Sequence, residues 1–155
     1  MKLNLKNSNN NKIHLTYCTN IHKSKNWEEI FKNLKAYPNF LRKNITKKKN
    51  FSIGLCLSHK NITQLKNSFD TFKIWLKKKY FYIQTINGFC YATFHKKNIK
   101  YAIYYPYWNT NLRYFFTKSL TQILSNLTTK KISTISTIPL FYKKLIETKK
   151  MKYYA

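Results

Sequence analysis

The sequence has few acidic residues and few glycines, and each shortage excludes a class of function. Only 4 Asp and Glu stand against 30 Lys and Arg, which gives a formal net charge of +26. All four carboxylates fall in predicted helices, so no pair is placed for general acid–base catalysis. They are Glu28, Glu29, Asp70 and Glu147. With only 2 glycines the chain also lacks a glycine-rich phosphate loop.

Cysteine spacing and hydrophobic runs exclude further classes. Cys18, Cys56 and Cys90 are odd in number and show no CxxC spacing, which is untypical of a disulfide scaffold or a zinc site. No apolar run reaches the roughly 18–20 residues of a membrane-spanning helix. The Asn- and Lys-rich start also lacks the apolar core of a secretory signal. We therefore expect a cytoplasmic protein with no transmembrane segment.

The positive charge consists of 28 lysines and only two arginines, Arg42 and Arg113. The sequence is enriched in residues with A/T-rich codons, namely Asn, Lys, Ile, Tyr and Phe. Codon bias in an AT-rich genome, such as that of an endosymbiont, is therefore the favoured cause of the high lysine content. The basic residues are also spread evenly along the chain, whereas nucleic-acid binders more often concentrate charge and use Arg. We expect no specific nucleic-acid partner, and a basic RNA-binding protein is the alternative.

Strand and helix patterns alternate along the chain. Short β-branched and aromatic runs predict strands at residues 13–19, 51–57, 80–86 and 132–140. Apolar residues at helical spacing predict helices after these strands, with Ser24, Asn61 and Asn111 as capping residues and a last helix over 141–150. Pro38 is expected to end or kink the first helix. The alternation predicts an α/β fold with parallel strands joined by right-handed crossovers.

Seven short segments occur in an order that points to one family. They are HLTYCTNIH at 14–22, WEEIFKNL at 27–34, GLCLS at 54–58, TINGFCY at 85–91, FH at 94–95, YPYW at 105–108 and STIPL at 136–140. Together they resemble the EboE metabolite traffic proteins, which are xylose-isomerase-like, sugar-phosphate-isomerase-like TIM barrels. The chain departs from that pattern at Tyr107, where the family has an acidic residue, and at Lys23 and Ser24, where it has Pro-Gly.

The resemblance implies a partial TIM barrel, because a whole barrel needs eight βα units and about 250 residues. We expect about four βα units with parallel strands, which is half a barrel. Residues 1–12 would be a disordered basic N-terminus, and residues 13–155 the N-terminal half of a xylose-isomerase-like barrel, truncated or split. Open strand edges favour association. The expected partner is therefore a second polypeptide that completes the barrel, or a second copy.

In a TIM barrel the active site forms at the carboxyl ends of the strands. Residues at these positions are expected to bind a small-molecule metabolite: Asn20, His22, Asn87, Ser136 and Thr137. Their amide, imidazole and hydroxyl groups can hydrogen-bond to sugar-like hydroxyls. For the asparagines, a role in turns is the alternative. No catalytic residue and no metal ligand is assigned.

The function implied by the resemblance is traffic or export of a small metabolite precursor. An alternative is one half of a metal-dependent, sugar-phosphate-isomerase-type enzyme. A divalent metal is usual in xylose-isomerase-like barrels, and here it would take its ligands from a C-terminal half. We expect this polypeptide to be inactive as an enzyme on its own.

Overall fold

The computed structural model describes residues 2–4, 12–45, 50–92 and 103–139 and shows an α/β fold. The strands are β1 (Lys2–Asn4), β2 (Lys12–His14), β3 (Thr16–Cys18), β4 (Phe51–Cys56), β5 (Phe81–Asn87) and β6 (Thr134–Ser136). The helices are α1 (Trp27–Ile45), α2 (His59–Asn67), α3 (Phe69–Lys78) and α4 (Asn111–Leu127). A single 3-10 turn, Thr19–Ile21, follows β3.

Four strands form one parallel sheet in the order β3-β4-β5-β6, which is also their order along the chain. Right-handed crossovers between strands in this order place every connecting helix on the same face of the sheet. Contacts of α2 with both α1 and α4 agree with a single helical layer. The predicted α/β class with parallel strands is confirmed, and the arrangement is compatible with part of a barrel. β1 and β2 form a separate antiparallel pair.

The helices begin at different capping residues from those predicted. The side chain of Asn26 caps α1 by accepting the N–H of Glu29 at 2.9 Å. Ser58 caps α2 and Thr110 caps α4, each accepting the N–H of the residue three positions on. A cap works only from this position, because its oxygen must reach an N–H of the first turn. The predicted caps Ser24, Asn61 and Asn111 are therefore wrong.

α1 continues through Pro38 to Ile45, so of the two predicted outcomes, an end or a kink at Pro38, the end is wrong. Proline removes one backbone hydrogen bond of the helix. However, Pro38 is itself buried, as are Leu34 and Arg42 one turn to either side. Packing along this buried stripe offsets the missing bond. Residues 93–102 and the predicted last helix, 141–150, lie outside the described residues.

The core lies between the sheet and the helices. Alternate strand residues form its floor and are buried: Tyr17, Phe51, Ile53, Leu55, Phe81, Ile83 and Ile86. Trp27 joins α1 to the following helical pair, because its ring contacts Phe72 edge to face and its Nε1 donates to Ser68 Oγ at 2.7 Å. The side chain of Gln64 completes this junction by accepting the N–H of Trp27 at 2.9 Å.

The opposite face of the sheet carries small, mostly polar residues and one buried aromatic residue, Tyr82, the register partner of Ser52. The small residues define what is here called the polar face: Thr16, Cys18, Ser52, Gly54, Cys56, Thr85, Asn87 and Ser136. The hydroxyl of Thr16 on β3 donates to Ser52 Oγ on the neighbouring strand β4 at 3.0 Å. Ser52 and Gly54 in the middle of this face are buried, whereas Thr16, Cys18, Cys56, Thr85 and Asn87 are half-buried.

Candidate functional site

The carboxyl edge of the parallel sheet, where β3, β4 and β5 end, holds a small cavity. Its volume is about 30 Å³, which is room for about two water molecules at about 10–15 Å³ each. The described lining residues are Thr19, Asn20, His22, Ser24, Ile30, Cys56, Ser58, Asn61, Cys90 and Ala92. None of these residues is a lysine, an arginine or a carboxylate. The lining therefore suits uncharged hydroxyl or amide groups better than a charged ligand.

Asn61 is the most constrained polar residue of this lining. It lies in the first turn of α2, its backbone N–H donates to Ser58 Oγ, and only 4% of its surface is exposed. Its side-chain Oδ1 is buried and has no hydrogen-bond partner within the described part of the chain. A buried acceptor without a donor costs about 1–3 kcal/mol. A hydroxyl or water in the cavity would supply the missing donor.

His22 lies at the rim of the cavity and is held from two sides. Its Nε2 is hydrogen-bonded to the hydroxyl of Tyr17, and its ring stacks on Tyr37 with 4.2 Å between the ring centroids. Burial, together with neighbouring Tyr37, raises the pKa of Tyr17 to about 12. Because the Tyr17 hydroxyl keeps its proton at neutral pH, it is able to donate to an unprotonated Nε2. The imidazole is thereby fixed in position beside the cavity.

Asn87 and Ser136 form a second cluster on the polar face. Ser136 Oγ donates to Asn87 Oδ1 at 3.1 Å, and Asn87 Nδ2 points to Cys18 Sγ at 3.3 Å. Asn87 is thus oriented by contacts with β3 and β6, the two outer strands of the sheet. The role of Asn87 as a turn residue is not needed to explain its position, since its side chain bonds to other strands and not to the local backbone.

Gly54 allows side chains of β3 and β5 to approach each other over β4. It lies on β4 between Cys18 and Thr85, its register partners on the two neighbouring strands. A Cβ atom at Gly54 would lie 2.7 Å from Thr85 Oγ1 and 3.2 Å from Cys18 Sγ. Side chains from β3 and β5 therefore occupy the space above β4. This close approach explains why glycine stands here, inside a strand where it otherwise weakens packing.

The five residues predicted to bind a ligand are thus distributed over three places. Asn20 and His22 line the cavity, while Asn87 and Ser136 are bonded to each other on the polar face. Thr137 is exposed, and its hydroxyl donates to the carbonyl of Ile138 at 3.4 Å. The structure does not bring Thr137 to the cavity or to the Asn87 cluster.

Two of the three cysteines, Cys56 and Cys90, line the cavity, and the raised pKa of each makes its thiol a poor nucleophile. Burial raises the pKa of Cys56 to about 11, with neighbouring Cys18 adding to the shift. Burial raises the pKa of Cys90 to about 12, although Arg113 partly opposes the shift. Since the thiolate is the nucleophile, neutral thiols of this kind act as small lining groups at neutral pH.

Arg113 fixes the loop that carries Cys90. Its side chain is fully buried and donates to backbone carbonyls of the β5–α4 connection: Gly88, Phe89, Ile103 and Pro106, at 2.8–3.5 Å. Burial lowers the pKa of the guanidinium, but arginine keeps its charge at any physiological pH. Sequence reasoning missed this residue and Asn61, because neither belongs to a motif and neither has an acidic partner nearby in sequence.

Three further findings bear on identity. No family model, no curated protein and no solved structure matches the chain. Among the described residues, no group of three or more His, Cys, Asp or Glu is placed to hold a metal ion. None of the described helices is both long and apolar enough to cross a membrane.

Proposed function

We propose that the chain is half of a TIM-type barrel similar to the EboE metabolite traffic proteins. In this proposal the carboxyl edge of the sheet binds a small, uncharged, hydroxyl-bearing metabolite precursor, and the protein, itself cytoplasmic, takes part in the traffic or export of that precursor. The observation that carries the proposal is the buried, unpartnered Oδ1 of Asn61 in a neutral cavity at this edge.

The strand order supports the barrel. A sheet whose parallel strands follow chain order, with all helices on one face, is the arrangement from which a TIM barrel closes. The polar face would then line the barrel interior, and the cavity would lie at its mouth. Within the described residues β3 and β6 are both edge strands, so the remaining strands would come from a further segment or a second polypeptide.

The chemistry of the edge supports an uncharged ligand. A cavity of about 30 Å³ admits a hydroxyl group or a water and not a whole sugar, so the body of the ligand would lie against the polar face. Asn87 and Ser136, already bonded to each other there, offer amide and hydroxyl groups to the same ligand. A hydroxyl of the ligand would reach Asn61 in the cavity and satisfy its Oδ1.

The experiment measures thermal stability of the purified protein with a panel of neutral polyols and sugars beside the corresponding sugar phosphates. We expect at least one neutral polyol to raise Tm, since a ligand that binds only the folded state stabilises it. Asn61→Ala should lose this shift. Thr137→Ala, at the same edge but outside the cavity, should keep it.

Two results would contradict the proposal. One is a Tm that no neutral polyol raises while sugar phosphates do, which would assign the edge to anions. The other is an equal shift in Asn61→Ala and in the unchanged protein, which would place the ligand away from the cavity.

A further inference from the structure

The opposite edge of the parallel sheet, where its strands begin, collects much of the positive charge. The connections α1–β4, α3–β5 and α4–β6 all meet this edge, because each leads from the end of a helix to the start of a strand. The basic residues at the described ends of these connections are Arg42, Lys43, Lys77, Lys78, Lys79, Lys130 and Lys131. We call this region the amino edge.

The acidic residues of the described part of the chain lie elsewhere. Glu28 and Glu29 are in the first turn of α1 and Asp70 is in the first turn of α3. The carboxyl edge therefore carries acidic residues beside its lysines, whereas the described amino edge carries seven cations and none of these acids. Charge that is evenly spread along the chain is thus unevenly spread in space.

Apolar side chains are exposed among these cations. Phe40 in the penultimate turn of α1 is 67% exposed, and Tyr80 at the end of the α3–β5 connection is 55% exposed. Phe40 and Lys43 are three residues apart and so lie on the same side of α1. Ile45, the last residue of α1, is also exposed. Lysines interleaved with exposed apolar groups are typical of surfaces that rest on a membrane.

Arg42 lies beneath the surface of this edge. The residue is only 9% exposed, and its Nε and Nη1 have no hydrogen-bond partner in the described part of the chain. Its guanidinium lies over the ring of Tyr80, 5.5 Å from the centroid. Because these two atoms are buried, the exposed lysines, and not Arg42, are the cations of this edge that are able to reach lipid phosphates.

We propose that the amino edge docks on an anionic lipid bilayer, with its exposed lysines facing lipid phosphates and Phe40, Ile45 and Tyr80 entering the interface. Nucleic acid fits these observations less well, because six of the seven cations are lysines and an aliphatic side chain such as Ile45 does not stack on bases. Docked in this way, the protein directs the carboxyl-edge cavity away from the membrane. This inference does not depend on the identity of the metabolite.

The experiment is co-sedimentation of the whole protein with vesicles of phosphatidylcholine alone or with 30% phosphatidylglycerol added. We expect binding to the anionic vesicles only, weakening as salt is raised. The triple variant Lys77→Gln, Lys78→Gln, Lys79→Gln should bind about 100-fold more weakly. The control variant Lys23→Gln, Lys25→Gln, Lys60→Gln has the same net charge and should bind as the unchanged protein does. Melting curves establish that both variants are folded.

Three other results would each overturn the inference. Equal weakening in both triple variants would mean that total charge, and not the amino edge, attracts the vesicles. Absence of binding to the anionic vesicles would exclude membrane docking. A single-stranded RNA oligonucleotide that binds through Lys77–Lys79 more tightly than the anionic vesicles do would assign the edge to nucleic acid.

Discussion

At the scale of single residues, burial decides which groups at the carboxyl edge are able to react. Cys56 and Cys90 keep their protons because burial disfavours the thiolate, and the Tyr17 hydroxyl keeps its proton for the same reason. His22 is bonded to that hydroxyl and stacked on Tyr37. The edge therefore offers hydrogen-bonding groups in fixed positions and no activated thiol nucleophile at Cys56 or Cys90.

The buried thiols should react slowly with iodoacetamide at pH 8. With pKa values raised to about 11 for Cys56 and about 12 for Cys90, both are almost wholly neutral at that pH. Their alkylation should accelerate only as the pH approaches 11. Peptide mass spectrometry after timed alkylation measures this for each cysteine separately, and the protein unfolded in guanidinium chloride is the control. Modification of both at pH 8 at the rate of the unfolded chain would contradict the assigned burial.

Burial could be predicted from sequence for strand residues but not for the polar residues of the site. The apolar runs predicted β4 and β5 closely, because a strand buried on both faces leaves a near-continuous apolar run in the sequence. Asn61 and Arg113 have no such pattern. Their burial depends on where the loops at the carboxyl edge pass, which is set by tertiary contacts. The caps at Asn26, Ser58 and Thr110 were missed by one to three positions, because more than one capping-type residue stands near the start of each helix.

At the scale of elements, one side chain organises the long connection between β5 and α4. Arg113 extends from the first turn of α4 to carbonyls on both described parts of that connection, from Gly88 to Pro106. The guanidinium also makes a cation–π interaction with Phe116 and lies 5.5 Å from the centroid of that ring. The carbonyl dipoles stabilise the buried cation by accepting its hydrogen bonds, where an acidic residue would otherwise be needed, and these bonds tie the connection to α4.

Arg113→Met should destabilise the protein by about 3 kcal/mol, since it leaves several buried carbonyls without a donor. Arg113→Lys should cost about half as much, because its ammonium keeps the charge but cannot reach as many carbonyls. Urea unfolding followed by circular dichroism measures both changes. A Met variant as stable as the unchanged protein would show that water replaces the guanidinium and that the connection does not depend on it.

Gly54 controls how closely β3 and β5 approach over β4. Gly54→Ala should destabilise the protein by about 1–3 kcal/mol, because the added methyl group overlaps Thr85 Oγ1. Thr85→Ala removes that oxygen, so the double variant should recover much of the loss. A double-mutant cycle from urea unfolding measures this coupling. Additive effects would mean that the overlap is relieved elsewhere and that Thr85 is not the obstacle.

At the scale of the whole molecule, the parallel sheet has two strand edges that the described residues leave unpaired. β6 is only three residues long, and its Thr134 and Ser136 are exposed. Ile132, just before β6, is 76% exposed. Edge strands that carry exposed apolar side chains pair readily with another chain. The exposed Ile132 and the unpaired strand edge favour association along β6, whereas the short length of β6 and the neighbouring Lys130 and Lys131 oppose it.

The protein should therefore self-associate through the β6 edge unless a second polypeptide covers it. Sedimentation velocity over a range of concentrations is expected to show a dimer or a larger species. Ile132→Lys places a charge at this edge and should shift the distribution towards monomer. Ile74→Lys, also an exposed isoleucine but on the outer side of α3, is the matched control and should leave association unchanged. A monodisperse monomer at all concentrations would contradict both the exposed-edge argument and the half-barrel proposal, because four strands of an incomplete barrel would then be stable alone.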